Sequence, residues 1–375
     1  MNTAAPVHDI IDVCERAPGY IRGIAPYQPG KPIAELAREM GLQESSIIKL
    51  ASNENPRGAS PKALHAMRAA IGETGRYPDG NGFALKEALS QRYGLSSEHI
   101  VIGNGSNDVL EMAARAFLAP GSSSVYSEHA FAVYPLVTQA TGATGIVVPA
   151  REFGHDPDAM RSAIRSDTRI VFIANPNNPT GTWIAPKTVW SFLEKIPADV
   201  LVILDEAYNE YLEPDARGDA VRWVEAFPNL VVSRTFSKAY GLAGLRIGYG
   251  FAHPQITDLM NRVRQPFNVS NIAQAAAVAA LFDDEFVEQS TLLNRQGMHT
   301  ITEGFRRLGL AWIPSHANFV SVQVGQGAEI FRRLLKLGVI VRPLAAYGMP
   351  EHLRVTIGTE AENVRFLSAL EIALR

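Results

Sequence analysis

Apolar and polar positions along the chain fall into two alternating rhythms. Short unbroken apolar runs at residues 124–126, 145–148, 169–174, 200–204 and 230–233 read as strands covered on both faces, the habit of a parallel sheet. Between several of them, apolar residues recur at helical spacing, as in Val109, Leu110, Met112, Ala113, Ala116 and Phe117, which predicts amphipathic helix. Strand and helix in alternation predict an α/β fold around a mostly parallel mixed sheet. From Asn271 the pattern changes: an Ala-rich helical stretch to Phe282, a helix through Arg306, a strand at 319–324, a helix at 328–337, and short strands near 339–342 and 353–357. A smaller α+β unit over 271–375 is therefore expected after a large one over 49–270.

Candidate chemistry gathers where apolar runs stop. Residues 233–250 read Ser-Arg-Thr-Phe-Ser-Lys-Ala-Tyr-Gly-Leu-Ala-Gly-Leu-Arg-Ile-Gly-Tyr-Gly. Lys238 offers an amine to an aldehyde, while Thr235, Ser237 and Arg246 offer hydroxyl and guanidinium donors to a phosphate, the two anchors that pyridoxal phosphate needs. Alone, a lysine beside serine in a Gly-rich loop is an ordinary surface turn. Asp205 changes that, because it closes the apolar run Val-Leu-Val-Ile-Leu and ligands of open α/β sheets bind at the carboxyl ends of strands. A carboxylate there would pair with the pyridine nitrogen and keep it protonated. Tyr208, three residues on, and Asn178 in the turn Asn-Pro-Asn-Asn-Pro-Thr-Gly at 175–181 would bond the ring hydroxyl. Finally, Ile-Gly-Asn-Gly-Ser-Asn-Asp at 102–108 is a glycine turn opening a helix, an anion site in which Gly105, Ser106 and Asn107 would meet the phosphate.

These elements, in this order, resemble the aspartate-aminotransferase fold group of pyridoxal-phosphate enzymes. Asn53-Glu54-Asn55-Pro56, Arg76-Tyr77-Pro78-Asp79-Gly80, the 175–181 turn, residues 242–248 and Leu353-Arg354-Val355-Thr356-Ile357-Gly358 further resemble the histidinol-phosphate aminotransferase family, from about Tyr27 to the C-terminus. The resemblance implies that the N-terminal segment 1–48 packs with the small C-terminal domain. It also implies that Arg354 binds the α-carboxylate of an amino acid such as glutamate, that Arg342 contacts a substrate phosphate with help from Tyr27, and that Asn53 belongs to the substrate site. Phe131 falls where the family stacks a ring on the cofactor, many members having tyrosine there. Tyr77 resembles the residue that reaches the cofactor phosphate of the other subunit, which implies a homodimer with shared active sites. Asn107-Asp108 departs from the family, whose members often carry two acids there.

The implied activity is a two-stage transamination. Lys238, displaced by an amino substrate, would move a proton between the substrate's α-carbon and the cofactor's C4′. L-histidinol phosphate and 2-oxoglutarate would be the pair exchanged, in histidine biosynthesis. The alternatives are an aromatic aminotransferase acting on phenylalanine or tyrosine, a threonine-phosphate decarboxylase-like enzyme, and a non-catalytic cofactor-binding regulator.

Composition narrows little but excludes some classes. With 375 residues, 35 Lys and Arg against 38 Asp and Glu, and a formal net charge of −3, the chain lacks the basic excess of a nucleic-acid binder. Cys14 is its one cysteine, so an intrachain disulfide and a Cys-based zinc site are excluded. The nine histidines show no metal spacing, and His129 in particular reads as a surface or satisfied core residue. No run approaches the ~18 apolar residues of a membrane span. Residues 1–9 carry an acid and no signal pattern. The expectation is a cytoplasmic enzyme of small molecules that uses no metal, nucleic acid or membrane.

Overall fold

The computed structural model describes residues 10–375; residues 1–9, on which the leader reading and the start of the segment 1–48 rest, lie outside the described residues. Among the described residues, seven strands form the main sheet, in the spatial order Ile100–Gly103, Gly248–Ala252, Leu230–Thr235, Leu201–Asp205, Thr168–Ala174, Ser123–Ser127, Thr144–Val148. The last five run parallel to one another. Gly248–Ala252 runs antiparallel between two strands that both point the other way. The α/β reading thus holds.

Burial follows the pleat. Successive residues of a strand face opposite sides, and Val171, Ile173, Val202, Leu204 and Val232 enter one core while Ile170, Phe172, Leu201, Ile203 and Val231 enter the other. Both faces are covered, which is why these runs carry no polar alternation. The helix Ser106–Phe117 lays Val109, Leu110, Met112 and Ala113 on the second face. Helices Pro61–Ala70 and Asn271–Leu281 pack together against the first through Ala63, Ala273, Ala276 and Ala277.

A second, antiparallel sheet orders Arg342–Pro343, His352–Thr356, Phe319–Gln323 and Trp312–Ile313. Helices Asp284–Arg307, Gly327–Lys336 and Glu360–Leu374 supply Ile301, Phe305, Leu334, Phe366 and Leu370 to its core. The single strand expected near 339–342 is two. Val339–Ile340 pairs in parallel with Ile48–Lys49, and after Val341 the chain crosses to pair Arg342 and Pro343 with Arg354 and Leu353. Ile48 and Leu50 enter the core of this second sheet. No helix among the described residues is long and apolar enough to cross a membrane.

The strand Gly248–Ala252, absent from the sequence reading, explains its own glycines. A Cβ at Gly248 would lie 2.4 Å from the Ser106 backbone nitrogen, and one at Gly250 would lie 2.8 Å from a Val109 methyl. The strand gives up side chains so that the turn before Ser106 can lie against it. Gly248→Ala should destabilise the protein by about 1–3 kcal/mol by overpacking and loosen the bound cofactor. Urea unfolding read beside cofactor absorbance checks this, and wild-type behaviour in both would refute the close approach.

Candidate active site

Strand ends deliver the chemistry. Ala174, Asp205 and Thr235 are the last residues of three adjacent parallel strands, and Gly103 ends a strand that points the same way. At this carboxyl edge lies a cavity of about 350 Å³ lined by Lys238, Asp205, Tyr208, Ser106, Asn107, Phe131, Asn178, Thr235, Ser237, Arg246, Tyr27, Asn53, Arg342 and Arg354. Two residues from the sequence reading do not line it. Gly105 sits behind, with φ +83° and room for no Cβ, since one would come 2.4 Å from an Arg246 nitrogen. Tyr77 lies outside, 81% exposed and stacked on Phe267 at 4.6 Å.

At the base of the cavity, Asp205 is buried and half satisfied. Its Oδ2 accepts from the Tyr134 hydroxyl at 2.9 Å, while Oδ1 has no partner among the described residues. Burial raises its pKa to about 6, against the pull of the Tyr134 bond and the Ala207 backbone. Lys238 Nζ donates to the Ser52 carbonyl at 3.1 Å. Burial, and then the Arg354 cation, bring that amine down to about 8, close to where a base works at neutral pH. Tyr208 accepts from Asn53 Nδ2 at 2.9 Å, and burial lifts its phenol to about 12, so its own proton stays available to donate.

The phosphate-facing end is built of open donors. The helix beginning at Ser106 presents first-turn N–H groups that no intrahelical carbonyl can take. Arg246, itself in left-handed backbone at φ +56°, reaches the Ala243 carbonyl at 3.1 Å and Ser237 Oγ at 3.4 Å and finds no carboxylate among the described residues. Thr235 Oγ1 accepts from the Ser237 N–H at 3.1 Å, which fixes the hydroxyl end of the loop.

Several residues in or behind the cavity wall escaped the sequence reading. Tyr134 follows Phe131 by three positions and meets its ring edge-on at 5.8 Å, but nothing in the sequence ties it to Asp205. Ser52 and Tyr347 line the wall, and they come from segments without a motif of their own. His129 is a satisfied core residue, its Nδ1 2.7 Å from the Tyr347 carbonyl.

An orphaned buried carboxylate oxygen, a lysine amine of lowered basicity and a cluster of anion donors suit pyridoxal phosphate, whose ring nitrogen would supply the missing N–H. Fold and site together define a pyridoxal-phosphate-dependent transaminase. The chain belongs to the family aminotransferase class I and II, whose model matches residues 45–370. It is 62% identical over 365 residues to histidinol-phosphate aminotransferase 2 of Nitrosospira multiformis, covering 97% of this chain and 93% of that one. Among solved structures it is similar to a histidinol-phosphate aminotransferase from Sinorhizobium meliloti in complex with pyridoxal-5'-phosphate, with TM-score 0.87 and 30% identity over 96% of this chain and 98% of that one. It is also similar to an aspartate aminotransferase double mutant from Thermus thermophilus, with TM-score 0.81 and 25% identity over 94% and 98%. The resemblance read from the motifs is borne out.

The Asp205 geometry has a thermodynamic signature in the cofactor-free enzyme. Its folded pKa of about 6 exceeds the ordinary 3.8, so the folded chain binds this proton more tightly than the unfolded one. The stability it contributes is complete below about 3.8 and is lost as pH rises through about 6. Cofactor-free Asp205→Asn should therefore lose less stability than wild type between these values. Thermal melts across that window measure it, and parallel pH profiles would remove Asp205 as the orphaned acid.

Proposed function

We propose that the enzyme interconverts L-histidinol phosphate and 2-oxoglutarate with imidazole-acetol phosphate and L-glutamate, in histidine biosynthesis. One observation carries the reading. Arg342 and Arg354 are direct cross-strand neighbours, both line the cavity that holds Lys238, and neither has a carboxylate partner among the described residues. Like charges placed opposite each other repel, so this wall waits for an anion. Arg354 Nη2 donates to the Ala51 carbonyl at 2.8 Å and Nη1 to Asn178 Oδ1, leaving Nε without a partner. Arg342 lies over the Tyr27 ring at 5.2 Å, toward the cavity mouth where half-exposed Tyr27 stands.

In this reading Arg354 takes the carboxylate of glutamate or 2-oxoglutarate, and Arg342 with Tyr27 takes the phosphate of histidinol phosphate. The names of the relatives at about 60% identity support that pair of substrates. When bound, pyridoxal phosphate supplies the aldehyde carbon that accepts the amino group and a ring that draws electrons from the α-carbon bond. Asp205 holds the ring nitrogen protonated, Phe131 covers a ring face, and Asn178 and Tyr208 bind the ring hydroxyl. Ser106, Asn107, Thr235, Ser237 and Arg246 hold the phosphate against the backbone turn at Gly105. Lys238 Nζ takes the α-proton and returns it on the other side of the exchange. Asn53 sits at the substrate end and steadies Tyr208.

The same reading makes the enzyme a cytoplasmic homodimer in which Tyr77 of each subunit reaches the other's cofactor phosphate. Exposed Tyr77, Phe83 and Phe267 support a covered face there, since large rings side by side in water mark contact sites. It also divides the chain into a large cofactor domain over 49–270 and a small one over 271–375 joined by 1–48.

Single-turnover conversion of the yellow enzyme, followed by absorbance, tests the substrates. Lys238→Ala should abolish conversion. Arg342→Leu should slow histidinol phosphate by about 10–100-fold, the worth of a charge-assisted bond, and phenylalanine far less; equal loss for both would refute the phosphate role. Tyr77→Ala should release cofactor faster while sedimentation still reports a dimer, and a monomeric wild type would end the shared-site reading.

A further inference from the structure

Between the two strands that carry Arg342 and Arg354, the chain makes one short helical turn, Ala345–Tyr347, and sets a tyrosine at its end. Gly348 follows in left-handed backbone at φ +73°, which lets the chain double back toward His352–Thr356. The Tyr347 ring packs with Ile313, Leu344 and Met349, is only 7% exposed, and lines the same cavity as Lys238. The Arg354 and Arg342 guanidinium groups and the Tyr27 hydroxyl all act on its phenol, so it stands where the two substrate arginines converge. Burial raises its pKa against the pull of the two cations, and the hydroxyl keeps its proton.

That proton has nowhere to go within the chain. Arginine has donors and no acceptor, so toward Arg342 the Tyr347 oxygen is the accepting partner. Among the described residues no carbonyl or carboxylate takes the hydroxyl hydrogen in return. The wall therefore offers one more donor beside two guanidinium groups that already await an anion.

The tyrosine is also held from the cofactor side. His129 Nδ1 lies 2.7 Å from the Tyr347 carbonyl, and because a carbonyl only accepts, Nδ1 carries the hydrogen. His129 is buried two residues before Phe131. Its own carbonyl accepts from Asn177 Nδ2 at 2.8 Å, and its ring stacks on Phe153 at 6.0 Å. It thus joins the segment bearing Phe131 and the 175–181 turn to the turn bearing Tyr347.

We propose that Tyr347 is a substrate-binding residue whose hydroxyl donates to the phosphate that Arg342 takes, and that His129 is the positioning residue that sets it there. The inference rests on the histidinol-phosphate reading above. A phosphate monoester presents three acceptor oxygens, and Arg342, Tyr27 and Tyr347 are mutually adjacent donors.

Single-turnover conversion of the cofactor-loaded enzyme over a series of L-histidinol phosphate concentrations tests this. Tyr347→Phe, which keeps the ring and removes the donor, should raise the half-saturating concentration by about tenfold or more, the worth of a hydrogen bond to a charged group. The saturating rate should change little, with cofactor absorbance and melting temperature as in wild type. Combined with Arg342→Leu, the losses should fall short of multiplying, because both residues serve one phosphate. His129→Leu should raise the same concentration several-fold, and His129→Asn, with an amide N–H close to where Nδ1–H stood, should restore it. Should His129→Leu fail to fold, His129→Gln, whose amide reaches one bond too far, takes its place. An unchanged half-saturating concentration in Tyr347→Phe, a loss confined to the saturating rate, or losses that multiply would each overturn the role of the hydroxyl. Equal behaviour of His129→Asn and the variant without a placed donor would overturn that of His129. A wild-type enzyme that does not convert histidinol phosphate would instead end the substrate reading, and this inference with it.

Discussion

A buried carboxylate with one oxygen satisfied and one left over governs the design of this molecule. Asp205 ends a strand whose every residue is buried, where an unpaired charge is expensive. The protein meets half the need through Tyr134, whose ring stacks on Phe172 at 4.7 Å and 11° and is itself fully buried. A phenol held so rigidly solvates Oδ2 and leaves Oδ1 without a partner, where a cationic ring nitrogen would satisfy it. Lowered basicity at Lys238 has the same origin, since burial disfavours an ammonium as it disfavours a carboxylate. Acid and amine are thus each kept near the pH at which they can exchange protons.

Holding that carboxylate opposite the rest of the site requires the two sheets to meet in fixed register, and residues 51–53 act as the clasp. Arg354 from the small sheet donates to the Ala51 carbonyl, Lys238 from the large one to the Ser52 carbonyl. Asn53, in left-handed backbone at φ +56°, bonds Tyr208 through its amide, Thr356 through its N–H at 2.9 Å, and Asn318 through its carbonyl at 3.0 Å. Three residues of irregular chain thereby tie Lys238, Tyr208 just beyond the strand Leu201–Asp205, and Arg354 to one another. Within this network both backbone groups of Asn53 are satisfied, while Arg354 Nε is left open toward the cavity.

Legibility in the sequence followed burial. Parallel strands such as Thr168–Ala174 and Leu201–Asp205 were readable because both faces are apolar, so composition alone announces them. Gly248–Ala252 was not, because its glycines serve the close approach of the Ser106 turn and carry no strand propensity. Lys238, Asp205 and Arg246 stood out because chemistry confines them to motifs at strand ends. Tyr134, Ser52 and Tyr347 did not, since a tyrosine within a helix or a backbone carbonyl in a loop has no pattern until the chain is folded. Crossing at Val341 was hidden too: a run of apolar residues says that a chain is buried, not which of two sheets it serves.

That crossing has a consequence for specificity. By ending one short pairing at Ile340 and beginning another at Arg342, the chain sets the Arg342 guanidinium beside that of Arg354 on adjacent strands. Arg354 is nearly sealed from water, so the repulsion between the two is poorly screened. Arg342 eases it by leaning on the Tyr27 ring, a contact worth roughly 0.5–1 kcal/mol at an exposed site, well short of what a desolvated anion would return. An apolar side chain entering the cavity leaves that repulsion in place. A phosphate or carboxylate would remove it, so with the substrates proposed above the wall would discriminate by relief of an existing strain as well as by the bonds it forms. Discrimination of that kind needs no conformational change, only two arginines held at neighbouring positions of a sheet by a chain that changes partners between them.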